Sequence, residues 1–160
     1  MKVIDNFLPK ENFDKIANLL MGDSFPYYFV DGVAEKNDSM FYLMHHFYYK
    51  NVPTSDWFNF INENLLFKIN FFALLRVKAN CYPSSKEKII HDKHVDYENN
   101  IKSKGIILSL NTCNGGTILH NGKEIKSIAN RALFFDPMKP HCSTNCTDQK
   151  ARFNININYI

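Results

Sequence analysis

The stretch ARFNININYI (residues 151–160) decides how the chain folds. Phe153, Ile155, Ile157 and Tyr159 alternate with Arg152, Asn154, Asn156 and Asn158. Successive side chains of a strand point to opposite faces, so this segment is a strand with one apolar and one polar face. Alternation alone reads the polar face as solvated. A sheet that closes over a polar cavity would reverse that reading.

Working back from this strand, the period of two begins at ALLRVKANCYP (73–83), and short strands follow between the turn signals PSSK (83–86), NGG (114–116), HNGK (120–123) and DPMKP (136–140). The C-terminal two-thirds therefore reads as antiparallel β. Upstream, after a short opening strand, PKENFDKIANLLMG (9–22) sets Phe13, Ile16, Ala17 and Leu20 on one helical face between Pro9 and Gly22. TSDWFNFINENLLFK (54–68) repeats the pattern, with Thr54 or Ser55 as the expected N-cap and Trp57, Ile61 and Leu65 on the apolar face. Helices followed by many short strands predict one α+β domain over 1–160, its helices packed on the outer face of a sandwich or barrel.

Composition permits a single core: 160 residues, 45% hydrophobic and 14% aromatic. Lys and Arg number 19 against 16 Asp and Glu, a net +3 that is gathered into no basic run, so a nucleic-acid partner is not supported. No stretch is long and apolar enough to predict a membrane span, and no signal segment is visible at the N-terminus, so the expectation is a cytoplasmic protein with reduced thiols. Cys142 and Cys146 have loose zinc-like spacing, but no second Cys/His pair completes a set of four, and they read as buried or spectator cysteines.

HDKHVDYENN (91–100) concentrates metal-capable side chains: His91, Asp92, His94, Asp96 and Glu98. On an extended segment His94 and Asp96 share a face, Asp92 with His94 is the rival pair, and His91 points away. Two donors do not make a site, so a third must come from elsewhere. His45, His46 and His120 have ordinary surface or core readings. His141 follows the apolar RALFFD strand and precedes Arg152 by eleven residues, close enough for a hairpin to bring both into one cavity. His94, Asp96 and His141 would form a two-histidine, one-carboxylate facial triad, which holds Fe(II) on three positions and leaves three open. A 2-oxoglutarate cosubstrate would fill two of these and O2 the third. Its far carboxylate would need a fixed cation, and Arg152 can meet it with two hydrogen bonds.

These residues resemble the 2-oxoglutarate and Fe(II)-dependent dioxygenases of the prolyl-hydroxylase type. His94-Val95-Asp96, then His141, then Arg152 follow that family's pattern, and NCYPSS (80–85), NGGTI (114–118) and NRALFFD (130–136) are similar to segments of oxygen-sensing prolyl hydroxylases. VIDNFLP (3–9) resembles the usual opening of these enzymes. The resemblance implies a double-stranded β-helix, or jelly roll, over 71–160 with a helical support region over 1–70. It implies His94, Asp96 and His141 as iron ligands, Arg152 as cosubstrate anchor and Tyr82 as a further cosubstrate residue, with Gly115 and Gly116 shaping a tight turn; Asn154, where many relatives carry a small residue, is also expected to bind the cosubstrate. It departs from the family at Ser109, where relatives carry a second cosubstrate tyrosine, and at Asn158, where they carry a tryptophan near the far end of the cosubstrate. The implied activity is hydroxylation of a proline-containing peptide or protein, with ascorbate as reductant, in an enzyme of the small microbial or phage-encoded kind. The other readings are the same chemistry on a nucleobase or small metabolite, and a non-catalytic jelly-roll protein. The substrate loops are expected in FVDGVAEKNDSM (29–40) and PSSKEKIIHDK (83–93). Oligomeric state is left open, a monomer being compatible with everything above.

Overall fold

The computed structural model describes residues 1–34, 40–96 and 102–160. In chain order the elements are β1 (Lys2–Ile4), α1 (Lys10–Leu20), β2 (Tyr28–Asp31), β3 (Phe41–Tyr49), β4 (Val52–Pro53), α2 (Phe58–Asn64), a 3-10 turn (Leu66–Lys68), β5 (Leu74–Pro83), β6 (Lys104–Ser109), β7 (Gly116–Ile118), β8 (Glu124–Lys126), β9 (Ala132–Phe135), β10 (Cys142–Ser143) and β11 (Ala151–Tyr159).

The strand that opened the reading sits inside the larger sheet, whose order is β1-β9-β6-β11-β5-β3-β2, with β4 paired to β3. A smaller sheet runs β10-β7-β8. Two isolated bridges, Ile90 to Thr144 and His94 to His141, lay residues 90–94 along the free side of β10 as a rudimentary fourth strand. Two facing antiparallel sheets, with β5, β11, β6 and β9 adjacent in the larger one, make a double-stranded β-helix.

On β11 the apolar face is where the sequence puts it. Ile155, Ile157 and Tyr159 pack with Val77 and Ala79 of β5 against Ile16 and Leu20 of α1 and Ile61 and Leu65 of the second helical segment. Each fully buried Ile or Leu there contributes roughly 1.5–3 kcal/mol. The expectation for the other face is overturned: Arg152, Asn154, Asn156 and Asn158 are all buried, with Asn158 at 0% exposure. They face the smaller sheet, so the polar stripe lines an interior. A second cluster of Ile107, Leu119, Ile125, Leu133 and Phe135 fills the remainder of that interior with apolar side chains.

The first 70 residues hold both expected helices, and they also carry β1 to β4. In α1, Ile16, Ala17 and Leu20 are buried as the spacing predicts. In α2 the start is later than expected. Lys50 and Asn51 adopt positive φ and turn Val52 back to pair with Tyr49. The Ser55 hydroxyl accepts the Trp57 N–H, so it organises the approach while the helix itself begins at Phe58. Trp57 is consequently exposed, and only Ile61 and Leu65 of the predicted trio are in the core. Residues 35–39 of one expected substrate loop lie outside the described residues, as do 97–101, including Glu98. Among the described residues no helix is long and apolar enough to cross a membrane.

Candidate active site and metal centre

The inward side chains of β5 and β11 form a ladder. Antiparallel register pairs Tyr82 with Arg152, Asn80 with Asn154, Lys78 with Asn156, and Arg76 with Asn158. Asn80 Nδ2 donates to Asn154 Oδ1 at 2.9 Å. The opposite wall comes from residues 90–94 and β10: backbone hydrogen bonds join His94 and His141 in both directions, at 2.9 and 3.0 Å, and bring their rings to 4.7 Å between centroids. The Asp96 N–H donates to Pro137 O at 2.9 Å, holding the carboxylate on the same side.

His94, Asp96 and His141 meet here, each offering one donor atom, and these atoms lie within 4.8 Å of one another. His141 Nδ1 donates to Lys139 O at 3.0 Å, which leaves the Nε2 lone pair free. Burial and the adjacent His141 push the His94 imidazole down to about 4, so it is neutral and able to donate to a metal at ordinary pH. Burial alone would raise the Asp96 carboxyl. The Arg76 guanidinium, at 2.7 Å from Oδ1, overrides it together with His141 and Asn158, and holds the group at about 2. Asn158 Nδ2 donates to Asp96 Oδ2 at 2.8 Å and its own Oδ1 accepts from Arg76 Nε at 3.2 Å, closing an Arg–Asn–Asp triangle. Two imidazoles and an ionised, oriented carboxylate are a donor set suited to a divalent first-row metal.

Arg152 lies at the other end of β11, 1% exposed. Its Nη1 donates to Thr144 O at 3.0 Å and its Nη2 to Thr117 Oγ1 at 3.1 Å, while the guanidinium carbon stands 5.4 Å from the Tyr82 ring centroid. Among the described residues no carboxylate is within ion-pair distance of it. Burial draws its pKa below the ordinary value, the cost of holding a charge out of water. Neither Gly115 nor Gly116 adopts positive φ, so neither needs glycine for its backbone conformation. Their smallness serves close approach: a Cβ at Gly115 would lie 2.3 Å from Asn145 O and 3.1 Å from Arg152 Cδ. Tyr82 is stacked between Tyr42 and His91, with centroids 5.4 and 5.5 Å away.

Between the triad and Arg152 is a small cavity lined by Asn80, Tyr82, Thr117, Asn154 and Asn156 as well as by His94, His141 and Arg152. Five buried side-chain polar atoms of the described residues have no hydrogen-bond partner in the protein, and four belong to this lining: Asn80 Oδ1, His94 Nδ1, Arg152 Nε and Asn156 Oδ1. Such atoms are rare in folded proteins, and their concentration here marks a site for a polar occupant.

Other residues singled out in the sequence have separate places. His91 is buried against Ser143, 2.8 Å from its Oγ, and Asp92 is exposed, so neither joins the metal-capable group. Asn158 stands on Asp96 and not at the Arg152 end. Ser109 is buried as the cross-strand partner of Asn154. Cys146 has Cys113, and not Cys142, as its metal-capable neighbour. Arg76 and Asn80 were missed, although the spacing of two in RVKANCY (76–82) places them, with Lys78, on the Tyr82 face. Lys78 Nζ donates to Tyr42 OH at 3.1 Å, and burial, with Arg76 beside it, pulls its pKa down to about 7.

The double-stranded β-helix is a fold that the chain shares with solved prolyl hydroxylases and with a 2OG-Fe(II) oxygenase family protein. Three solved structures illustrate the likeness in fold. A Trichoplax adhaerens prolyl hydroxylase, solved with a hypoxia inducible factor oxygen degradation domain peptide, is 17% identical, with 99% of this chain and 82% of that one covered and a TM-score of 0.68. A Pseudomonas putida prolyl-4-hydroxylase is 12% identical, covering 99% and 91%, with a TM-score of 0.66. A Burkholderia pseudomallei oxidoreductase of the 2OG-Fe(II) oxygenase family is 9% identical, covering 98% and 84%, with a TM-score of 0.70. No family model and no curated protein matches the chain.

Proposed function

We propose that the chain is a 2-oxoglutarate- and Fe(II)-dependent hydroxylase acting on proline within a peptide. The observation that carries the oxygenase reading is Arg152: a buried guanidinium with no acidic partner among the described residues, lining the same cavity as His94 and His141 of the His–Asp–His donor set. A buried cation of that kind is stable only with an anion to meet it. A ligand with a carboxylate at one end and a metal-chelating keto acid at the other spans the two features.

His94, Asp96 and His141 would hold the iron, with Arg76 and Asn158 orienting Asp96 so that one lone pair remains for the metal. Arg152 would bind the far carboxylate through its unpartnered Nε and the remaining N–H groups, with Tyr82 and Asn154 beside it. Asn80 and Asn156 supply polar atoms to the middle of the cavity. When bound, Fe(II) and 2-oxoglutarate supply the oxidation: O2 is consumed, 2-oxoglutarate leaves as succinate and CO2, and one oxygen atom enters a substrate C–H bond. Ascorbate would keep the iron reduced.

The peptide assignment rests on the motifs NCYPSS, NGGTI and NRALFFD and on the peptide-bound state of the Trichoplax relative. The test supplies Fe(II), ascorbate and 2-oxoglutarate with proline-rich peptides, free proline and single-stranded DNA in parallel, following succinate and product mass. Succinate formation coupled to a one-oxygen mass gain on the peptide is the expected result. Turnover coupled only to DNA or free proline refutes the peptide assignment, and no iron-dependent succinate under any condition refutes the oxygenase.

A further inference from the structure

Outside the cavity, the described residues contain one other group of side chains with metal-ligand geometry: Cys113, Cys146 and Asp148, whose two sulfurs and carboxylate oxygen lie within 4.8 Å of one another. We propose that these three residues form a second, thiolate-rich metal site for a soft divalent ion of the zinc class, which clamps the two loops that cradle Arg152.

The two loops are already stapled around this point. The Asn114 N–H donates to both carboxylate oxygens of Asp148 at 3.0 Å, Asn114 Nδ2 donates to Thr147 Oγ1 at 2.7 Å, and the Thr147 N–H returns to Asn114 Oδ1 at 3.0 Å. This fixes Cys113 opposite Cys146 with little freedom, so an ion would find its donors arranged before it arrives. Cys113 is 5% exposed and Cys146 fully buried, whereas Asp148 is exposed, so the group opens to solvent on its carboxylate side. Metal–sulfur bonds of about 2.3 Å and metal–oxygen bonds of about 2.0–2.2 Å need donors of this spacing with modest contraction. A water entering beside Asp148 would complete four-coordination.

Donor chemistry separates this group from the His94 site. Two thiolates and one carboxylate prefer a soft or borderline ion, while two imidazoles and a carboxylate accept iron. Binding would release both thiol protons, and three ligand charges against a divalent ion would leave the site with one net negative charge. That charge would lie near a buried cation: the loops holding Cys113 and Cys146 also supply Gly115, packed on Arg152 Cδ, and Thr144 O, the acceptor of Arg152 Nη1. The ion would be a structural clamp on the anchor and would take no part in any reaction.

The test uses the full chain, freed of metal and treated with a non-chelating phosphine reductant, titrated with Co(II) and then with competing Zn(II). The expected result is a thiolate-to-cobalt charge-transfer band saturating at one equivalent per chain and displaced by Zn(II). It should persist in His94→Ala, because the proposed iron site contributes no sulfur. It should be lost in Cys113→Ser and in Cys146→Ser. Asp148→Asn, an exposed change that keeps the fold, should weaken cobalt binding by more than the roughly 10–100-fold that loss of a mere outer-shell partner costs. The proposal is overturned if folded, reduced wild-type protein gives no thiolate band, if the band survives Cys113→Ser or Asp148→Asn with unchanged affinity, or if the reduced thiols close to a disulfide that cobalt does not prevent.

Discussion

Replacing Arg152 with Gln tests the cosubstrate assignment without removing the metal ligands. In the wild type the guanidinium is buried, holds Thr144 O and Thr117 Oγ1, and keeps Nε for a ligand. At a 2-oxoglutarate concentration of about 100 Kd, binding stabilises the folded protein by roughly 2.7 kcal/mol. For a chain of 160 residues that is a rise in Tm of about 5–11 °C. Removing the cationic partner of a buried carboxylate costs about 3–5 kcal/mol, which raises Kd by roughly 150- to 5000-fold. At the same concentration the ligand then contributes less than about 0.3 kcal/mol, a shift of no more than about 1 °C. The assay is a thermal melt with Mn(II), which binds such donors without turnover, in the presence of 2-oxoglutarate or of 2-oxobutyrate, which lacks the far carboxylate. Wild type should respond strongly to the first and weakly to the second, while Arg152→Gln should respond weakly to both and still bind Mn(II). A full shift in Arg152→Gln, or its loss in Lys78→Met instead, would refute the anchor assignment and point to Lys78, another cation of the β5–β11 inner face.

Arg76→Met should leave Asp96 governed by the burial that now opposes Arg76, raising its carboxyl pKa and weakening Mn(II) binding at pH 7 by roughly 10–100-fold, measured by calorimetry; unchanged affinity would remove Arg76 from the metal centre. The metal-free protein should lose stability as pH falls from about 6.5 to about 4. Burial holds both His94 and His46 at about 4 when folded, so the unfolded chain takes up those protons first and stability is fully present only above the unfolded value near 6.5. Melts across that window check the sign, and a Tm that is flat or rises on acidification contradicts it.

What the sequence discloses depends on how local the cause is. His94 and Asp96 are visible as a pair because a spacing of two on an extended segment is sufficient to align them. The alternation in 151–160 is visible for the same reason, but the burial of its polar face is not, because that depends on a second sheet built from residues 90–94 and 116–144. Arg76 escaped notice although it obeys the same period, since nothing nearby in sequence indicates that Asp96 would be its partner across the cavity. Cys113 and Cys146 join through two loops held together by Asn114, Thr147 and Asp148, while the suggestive spacing of Cys142 and Cys146 leads nowhere. Val52 pairs back on Tyr49 because Lys50 and Asn51 take positive φ, a turn that no hydrophobic pattern announces.

The charge arrangement explains why so polar an interior persists. The inner faces of β5 and β11 carry Arg76, Lys78 and Arg152, and among the described residues Asp96 is the acid that Arg76 engages. Lys78 relieves part of the excess by sharing a hydrogen bond with Tyr42 and by a pKa low enough to release its proton near pH 7. Arg152 has no such outlet, because a guanidinium stays protonated throughout the accessible pH range. An apolar residue at that position would make the empty fold more stable, since burying an unmatched charge costs more than two hydrogen bonds to Thr144 and Thr117 return. Its presence is therefore a feature of the bound state: the free energy withheld in the empty cavity is recovered when an anion arrives, and a dianion that also reaches the His94–Asp96–His141 end recovers the most.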